Sequence, residues 1–300
     1  MAIAEVDQAL ARLDADHGEI SANLAELERH PGVRFLDEVP LSGDSAARWA
    51  EARVRLDTLW SRLRLFESVS AQAHRVRARR PRPGAGELAE LTTLLCDASV
   101  TLAPQPIPLA QRGLLGPAAV SRALTLTQLV AEMTADYREV ARLAGLGDTV
   151  FSEILPQVDR AGDRLRELRE LAADPRLTGM AAAALARLDA AEARLNAERA
   201  LAMSDPLTLA AREPGDTLTG ELDAVHQLLR ELLDRRDELR GRIRAYRVKA
   251  ARTGLTEDPG IDARYRRAYE LLHSTPCDLD AAAHAVTEYQ QAITEKTATR

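Results

Sequence analysis

A chain of 300 residues with a formal net charge of −6 at pH 7 lacks the basic character of proteins that bind nucleic acid over a broad surface. Only 3% of its residues are aromatic although 46% are hydrophobic, so we expect a core of Leu, Val and Ala side chains, which suits closely packed helices better than a β-sandwich. Its two cysteines lie far apart without metal-ligand spacing, which favours free thiols over a disulfide framework.

The sequence also bears on location. No stretch reaches the roughly 18 uninterrupted apolar residues of a membrane span. The first residues lack the basic and apolar regions of a signal peptide. These features predict a cytoplasmic protein.

Two long helices are predicted in the first 80 residues. Over residues 3–27 the apolar side chains recur in alternating steps of three and four, as in a helix with one buried face. His30-Pro31-Gly32 is predicted to end this helix, and a loop over 33–44 to follow. The same spacing returns from Trp49 to Ala73, so residues 1–80 are predicted to form an antiparallel helical hairpin.

Residues 81–124 interrupt the helical pattern and are predicted to form a Pro/Gly-rich linker with one short helix over 87–96. Pro104, Pro106 and Pro108 stand at alternate positions, which forces extended backbone. The linker is therefore the part of the chain where a short pair of strands is predicted.

Long helices return over 125–252, and two shorter ones follow over 253–300. Gly145, Gly147 and Pro156 are expected to bend or break the first of them. The predicted fold is all-α, an elongated antiparallel helical bundle with coiled-coil-like heptad helices. Its four parts are the hairpin, the linker, a long-helix bundle over 125–252 and a C-terminal helix–turn–helix pair over 253–300.

Two polar residues stand where the apolar ladder predicts a hydrophobic one, His17 in the first helix and Arg236 in the last long helix. Polar side chains at such positions fix the register of packed helices at some cost in stability. We interpret both as register residues. A pH-dependent switch is the alternative for His17, because histidine titrates near physiological pH.

Three histidines have an acidic residue three positions before them, on the same helix face. Ferritin-like bundles hold two metal ions with pairs of this kind. The neighbouring ladder positions here are Leu, Ile and Val, so no cofactor is expected, and a metal-dependent bundle enzyme is the alternative reading. The pairs are Asp14/His17, Asp223/His226 and Glu270/His273.

A run of arginines closes the second helix and precedes the linker. Cations favour the C-terminal end of a helix, which explains the run structurally. The alternatives are an acidic protein partner or an anionic surface; nucleic acid is not expected, because no aromatic residues interleave with the arginines. The arginine run consists of Arg75, Arg77, Arg79, Arg80 and Arg82.

A second candidate docking segment lies in the linker, at Pro106 and Pro108. The alternative is that this segment is a plain connector.

Catalytic signatures are missing from the sequence. It has no phosphate-binding glycine loop, no nucleophile elbow, no HExxH and no paired CxxC motif. A nucleophilic role for Cys96 would need a positioned base, and a buried structural cysteine is the better prediction.

The stretches HPGVRFLDEVPLSGDSAARW, IPLAQRGLLGP and SDPLTLA resemble uncharacterised coiled-coil proteins of actinobacteria. Some of these proteins are encoded beside serine/threonine-kinase signalling genes, so the resemblance implies an accessory role in signalling and supplies no catalytic residues. Together with the long amphipathic helices, it predicts a non-enzymatic scaffold or adaptor that binds a protein partner or a second copy of itself. The alternatives are the metal-dependent enzyme and an arginine-rich binder of anionic surfaces.

Overall fold

The computed structural model describes residues 1–102, 105–106, 119–212 and 217–298. Within these ranges nearly all regular structure is α-helix, which confirms the all-α prediction. None of the helices described is both long and apolar enough to cross a membrane. Two compact units divide the chain: Met1–Ile154 with Leu201–Arg212 form the first, and Leu155–Ala200 with Glu213–Arg300 form the second.

The first unit is a helical bundle with four very short strands. Its helices are α1 (Ile3–Arg29), α2 (Pro31–Glu38), α3 (Gly43–Arg77), α4 (Ala85–Cys96), α5 (Leu126–Thr149) and α8 (Pro206–Ala210). Its strands are β1 (Val100–Thr101), β2 (Gln105–Pro106), β3 (Ala119–Val120) and β4 (Ala123–Leu124).

Helices α1 and α3 pack side by side in opposite directions. Near the start of α1, Asp7 Oδ1 lies 2.6 Å from Nε of Arg77 at the end of α3. Near the end of α1, Glu28 accepts a hydrogen bond of 2.8 Å from Nε1 of Trp60. The apolar ladder of α1 is buried along this contact, and burial of each methylene contributes about 0.8 kcal/mol. The buried residues are Val6, Leu10, Leu13, Leu24 and Leu27.

The predicted loop over 33–44 is wrong in its first half, because Pro31–Glu38 forms α2. His30 ends α1 and also starts α2, since its Nδ1 accepts a hydrogen bond from the N–H of Gly32 at 3.2 Å. Proline is favoured in the first turn of a helix, where its missing N–H costs nothing. His30-Pro31-Gly32 therefore ends α1 as predicted and also begins α2, with no loop between the two helices.

Helices α2 and α5 cross at two glycines. A Cβ on Gly32 would lie 1.9 Å from the carbonyl oxygen of Ala144. A Cβ on Gly147 would lie 2.8 Å from Leu36 Cγ and 2.9 Å from the carbonyl oxygen of Gly32. The two backbones therefore touch without a side chain between them.

The expected break after Gly145 and Gly147 falls later than either glycine. Both lie within α5, which ends at Thr149, and Val150–Ile154 form a π-helical turn. Pro156 stands in the first turn of the helix that follows. Because proline lacks an N–H and crowds the preceding turn, a widened turn directly before it relieves the conflict.

The short strands lie in the linker, where the sequence predicts them. β1 pairs antiparallel with β4, and β2 pairs antiparallel with β3. Pro106 belongs to β2, whereas Pro108 lies outside the described residues.

Helix α8 is held to the start of α3 by a buried hydrogen-bond clasp. The hydroxyl of Ser45 donates to Asp205 and accepts from the N–H of Leu207 at 2.9 Å. The N–H of Ser45 also donates to Asp205, at 3.0 Å. Burial raises the pKa of the Asp205 carboxyl, but hydrogen bonds from Ser45 and Thr208 outweigh it, so the pKa lies below its usual value. Two of the stretches that carry the resemblance, LSGDS and SDPLTLA, thus meet in the fold.

The second unit is also a helical bundle. It contains α6 (Leu155–Ala172), a 3₁₀ turn (Pro175–Leu177), most of α7 (Ala182–Ser204), α9 (Thr217–Arg252), α10 (Pro259–His273) and α11 (Leu279–Ala298). The last three helices pack around one apolar cluster. Its members larger than alanine are Leu239, Ile243, Leu255, Ile261, Leu272, Val286, Tyr289 and Ile293.

Candidate binding surface

Four arginines form a row along one face of α9. Arg236, Arg240, Arg244 and Arg247 follow one another at steps of four, four and three residues, which place side chains on the same side of a helix. The row runs from the interior to the surface: Arg236 is 5% exposed, Arg240 is half-buried, and the other two are exposed.

The inner end of this arginine row binds backbone carbonyls. Arg236 donates to the carbonyl oxygens of Arg176 at 3.0 Å and Leu272 at 3.3 Å. Arg240 donates to the same Leu272 oxygen at 3.1 Å. The Nε atoms of both arginines are buried and lack an acceptor among the described atoms. A carbonyl compensates a hydrogen-bond donor but not a full charge, so the positive charge of the row is not neutralised there.

The carboxylate of Glu238 pairs with two arginines of α9 that lie outside the arginine row. Glu238 binds Arg235 at 2.7 Å and Arg242 at 2.8 Å. Within the described residues, no carboxylate oxygen lies within 4.0 Å of the four guanidinium groups of the arginine row.

Mutual repulsion in the row is visible at Arg240. Burial lowers the pKa of its guanidinium, and the neighbouring charges of Arg236 and Arg244 lower this pKa further, although Asp237 acts in the opposite direction. Like charges at a spacing of four residues destabilise a helix. An anionic group bound beside Arg240 and Arg244 would relieve this repulsion.

A row of rings on α10 lies against the arginine row. Tyr265, Tyr269 and His273 follow at steps of four, with ring centroids 5.8 Å apart for the first pair and 3.9 Å for the stacked second pair. The guanidinium carbon of Arg247 lies 3.8 Å from the centre of the Tyr265 ring, a cation–π contact. Tyr265 also packs on buried Tyr289, at 5.7 Å, which anchors the aromatic row in the core.

Two contacts fix how the rows run past each other. Arg247 lies opposite Tyr265, and Arg240 lies opposite Leu272, so the rows are antiparallel and Arg244 falls between these positions. Tyr269 is 44% exposed and Val248, beside the row on α9, is 54% exposed. We call Arg240, Arg244, Arg247, Tyr265, Tyr269 and His273 the arginine–tyrosine surface.

This surface offers two kinds of interaction side by side. A guanidinium group presents paired N–H donors that match the two oxygens of a carboxylate. Tyrosine rings bury much area at low entropic cost, and Tyr and Arg are the residues that most often carry the binding energy of protein interfaces. The arrangement therefore suits a ligand that is both acidic and partly apolar.

The chain matches no family model, and searches of curated proteins and of solved structures find no match either. No residue role is therefore transferred from another protein. The geometry of the chain itself carries the argument.

The arginine run at the end of α3 is largely paired within the chain. Arg77 binds Asp7 of α1 through two nitrogens, at 2.6 and 3.2 Å. Arg79 binds Glu90 of α4 through two nitrogens, at 2.7 and 3.3 Å, and Arg80 lies 3.7 Å from Glu87. Arg75 donates to the carbonyl of Ala71, and Arg82 is exposed. These bonds support the structural interpretation, and partner binding by this run stays a prediction.

The acid–histidine pairs find other partners. Asp14 binds His74 of α3 at 2.9 Å, while His17 is half-buried. Both ring nitrogens of His226 face arginines, Arg164 at 3.0 Å and Arg230 at 3.4 Å, and His273 belongs to the aromatic row. In the described ranges, no group of three or more His, Cys, Asp or Glu side chains is arranged to hold a metal ion.

Two further expectations concern single residues. Cys96 is exposed, so its predicted burial is wrong: it is the last residue of α4, and its sulfur lies 3.6 Å from that of Met1. Arg236 is buried at the predicted ladder position, and its role in register stays a prediction, as does that of His17.

A small pocket lies between α3 and α5. Its volume is about 40 Å³, against about 300–1,000 Å³ for typical ligand sites, so it has room for water rather than a substrate. Hydrogen bonding to Arg142 holds the pKa of Glu139, one of its acidic residues, below the usual value. The lining residues are Arg48, Glu51, Ala52, Arg55, Glu139 and Leu143.

Sequence reasoning missed the arginine–tyrosine surface, although its two signals are visible. The α9 sequence contains R-x3-R-x3-R-x2-R from Arg236, and the α10 sequence contains Y-x3-Y-x3-H from Tyr265. Each pattern by itself indicates a helix face. What joins them is a contact between helices, which no spacing within one helix specifies.

Proposed function

We propose that this chain is a non-enzymatic helical scaffold or adaptor that binds an acidic segment of a partner protein at the arginine–tyrosine surface. The observation that carries the proposal is the arginine row, whose guanidinium groups have no carboxylate partner among the described residues and adjoin exposed tyrosine. Charge complementarity then favours an acidic partner.

Protein is favoured over nucleic acid as the partner by the distribution of charge. The chain as a whole is acidic, and α1 carries seven acidic but only two basic residues. The net charge therefore gives a long polyanion no general attraction to the chain, whereas a short acidic segment needs only the row itself. The exposed side chains of Val248 and Tyr269 add apolar contact, which a protein segment uses.

The cellular setting is part of the proposal. Cys96 and Cys277 are free thiols, which fits a reducing cytoplasm. The resemblance to coiled-coil proteins encoded beside kinase genes supports an accessory role in signalling. A second copy of the chain is the alternative occupant, since its acidic α1 would supply the negative charge.

The test compares two single-charge variants. Arg244→Gln removes a guanidinium from the row, and Arg267→Gln removes one from the far side of α10, because two residues of helix separate Arg267 from Tyr269 by more than a quarter turn. Both arginines are exposed, so we expect both variants to fold. Fluorescence anisotropy would follow a labelled ten-residue peptide of alternating Glu and Ser.

We expect Arg244→Gln to lower the affinity for this peptide about three- to tenfold, as for the loss of one hydrogen bond worth about 0.5–1.5 kcal/mol, and Arg267→Gln to change it less than twofold. Binding by the wild type should weaken as salt rises, since exposed charges are screened. Equal affinities for the two variants would refute the assignment of the surface. If a second copy of the chain occupies the surface instead, light scattering should give the mass of a dimer for the wild type and the mass of a monomer for Arg244→Gln.

A further inference from the structure

The partner segment that fits the arginine–tyrosine surface has a definable conformation and pattern. We infer that it is an extended strand in which acidic residues alternate with aromatic or apolar residues. This inference rests on the proposed function and specifies the partner at the same surface.

Spacing along the surface is the first step. Arg240 and Arg244 are four residues apart on α9, as are Tyr265 and Tyr269 on α10, and four residues of α-helix rise about 6 Å. In an extended strand, every second residue points to the same side, and these residues repeat about every 6.6 Å. The two repeats stay within about 1 Å over two intervals, which covers the length of the surface.

The second step is the lateral arrangement of the rows. The contact of Arg247 with the Tyr265 ring, at 3.8 Å, places the arginine row directly beside the aromatic row. Neighbouring side chains of a strand point in opposite directions. A strand lying along the boundary therefore turns one set of side chains toward the guanidinium groups and the other set toward the rings.

The chemistry of each set follows. Residues facing Arg240 and Arg244 need carboxylates, because no carboxylate oxygen of the described residues lies within 4.0 Å of either guanidinium group. Residues facing Tyr269 gain from rings or apolar groups, since this side chain is 44% exposed and stacks on His273.

A helical partner fits this surface less well. An amphipathic helix buries an apolar stripe at least 100° wide. In the described part of α9–α11, the exposed large hydrophobic side chains are Val248 and Tyr269. Arg247 also lies over Tyr265, so its side chain occupies the space between the two rows at this end of the surface.

The experiment uses the full chain and labelled ten-residue peptides of equal composition, half Glu and half Tyr. One peptide alternates the two residues, one separates them into blocks, and one places Glu at positions 1, 4, 5, 8 and 9, on one face of a helix, with Tyr at the other five positions. An alternating Glu–Ser peptide reports charge recognition without rings. Affinities would be measured by fluorescence anisotropy, and circular dichroism would confirm that each variant folds.

We expect the alternating Glu–Tyr peptide to bind at least fivefold more tightly than the blocked and helix-phased peptides. Tyr269→Ala should weaken it about three- to tenfold while leaving the Glu–Ser peptide within twofold, and Tyr269→Phe should restore the affinity, as expected for a ring–ring contact. Equal or tighter binding of the helix-phased or blocked peptide would overturn the inference and leave the acidic partner standing. Failure of every peptide to bind would overturn both.

Discussion

Two arginine-rich regions of this chain have similar sequences and opposite surroundings in the folded protein. At the end of α3, Arg77 and Arg79 each bind a carboxylate of a neighbouring helix through two nitrogens. In the middle of α9, Arg236 and Arg240 bind backbone carbonyls instead. The density of charge along a sequence thus says how many cations a region has, and the packing of helices decides which of them are neutralised.

The largest expected effect comes from the buried end of the arginine row. Arg236→Ala removes the side-chain donor of the Arg176 carbonyl, removes one of the two donors of the Leu272 carbonyl and opens a cavity beside Leu272, so we expect a loss of about 2–3 kcal/mol in the free energy of unfolding. Arg77→Ala breaks a solvent-exposed ion pair and should cost clearly less. Urea denaturation followed by circular dichroism measures both. If Arg77→Ala lost more free energy of unfolding than Arg236→Ala, the buried end of the arginine row would not be the more important of the two for stability.

A second variant gives the arginine row a carboxylate of its own and so makes it resemble the end of α3. Gly241 lies within α9, where a Cβ would meet no atom of another element within 4 Å, and residue 241 is three positions before Arg244. Gly241→Glu should stabilise the helix by about 0.5–1 kcal/mol, because glycine is a poor helix former. It should also weaken binding of the Glu–Ser peptide about threefold or more, because the new carboxylate competes for Arg244.

The matched control for this variant is Gly241→Ala. Alanine supplies the same gain in helix stability without a charge, so the thermal midpoint should rise as much and the peptide affinity should stay unchanged. If alanine weakened the peptide as much as glutamate does, competition by the carboxylate would not be the cause.

The smallest expected effect is a difference in acid sensitivity between the two regions. Hydrogen bonding to Arg77 holds the pKa of Asp7 below its usual value. A carboxyl whose pKa is lowered by folding contributes its full stability above the unfolded-state pKa, and that contribution disappears as the pH falls through the native pKa. The stability difference between wild type and Asp7→Asn should therefore be present at pH 7 and shrink progressively as the pH falls below about 3.9, the usual pKa of an aspartate.

The arginine row supplies the comparison for this measurement. Since no carboxylate of the described residues pairs with it, the effect of Arg244→Gln on stability should stay constant over the same pH range. A shared dependence on pH would indicate a carboxylate partner for the row. Thermal denaturation at several pH values measures both differences.

Periodicity predicts the long helices well, because each has to bury a continuous apolar face. The same logic fails at α2, where eight residues are too few for a clear period and the helix is defined by His30 capping the N–H of Gly32. It also fails for the clasp between Ser45 and Asp205, which joins residues 160 positions apart. The arginine–tyrosine surface belongs to this second class, since it exists where α9 meets α10.

The crossing of α2 and α5 limits which sequences this fold can tolerate. A methyl group on Gly32 would overlap a carbonyl oxygen, and one on Gly147 would overlap Leu36, so neither position has room for the smallest side chain. Gly145 lies two residues before Gly147 in α5, and a Cβ at this position would meet no atom of another element within 4 Å. In a library randomised at all three positions and selected for folding, glycine should be recovered at 32 and 147, while 145 should accept most residues and prefer good helix formers such as alanine.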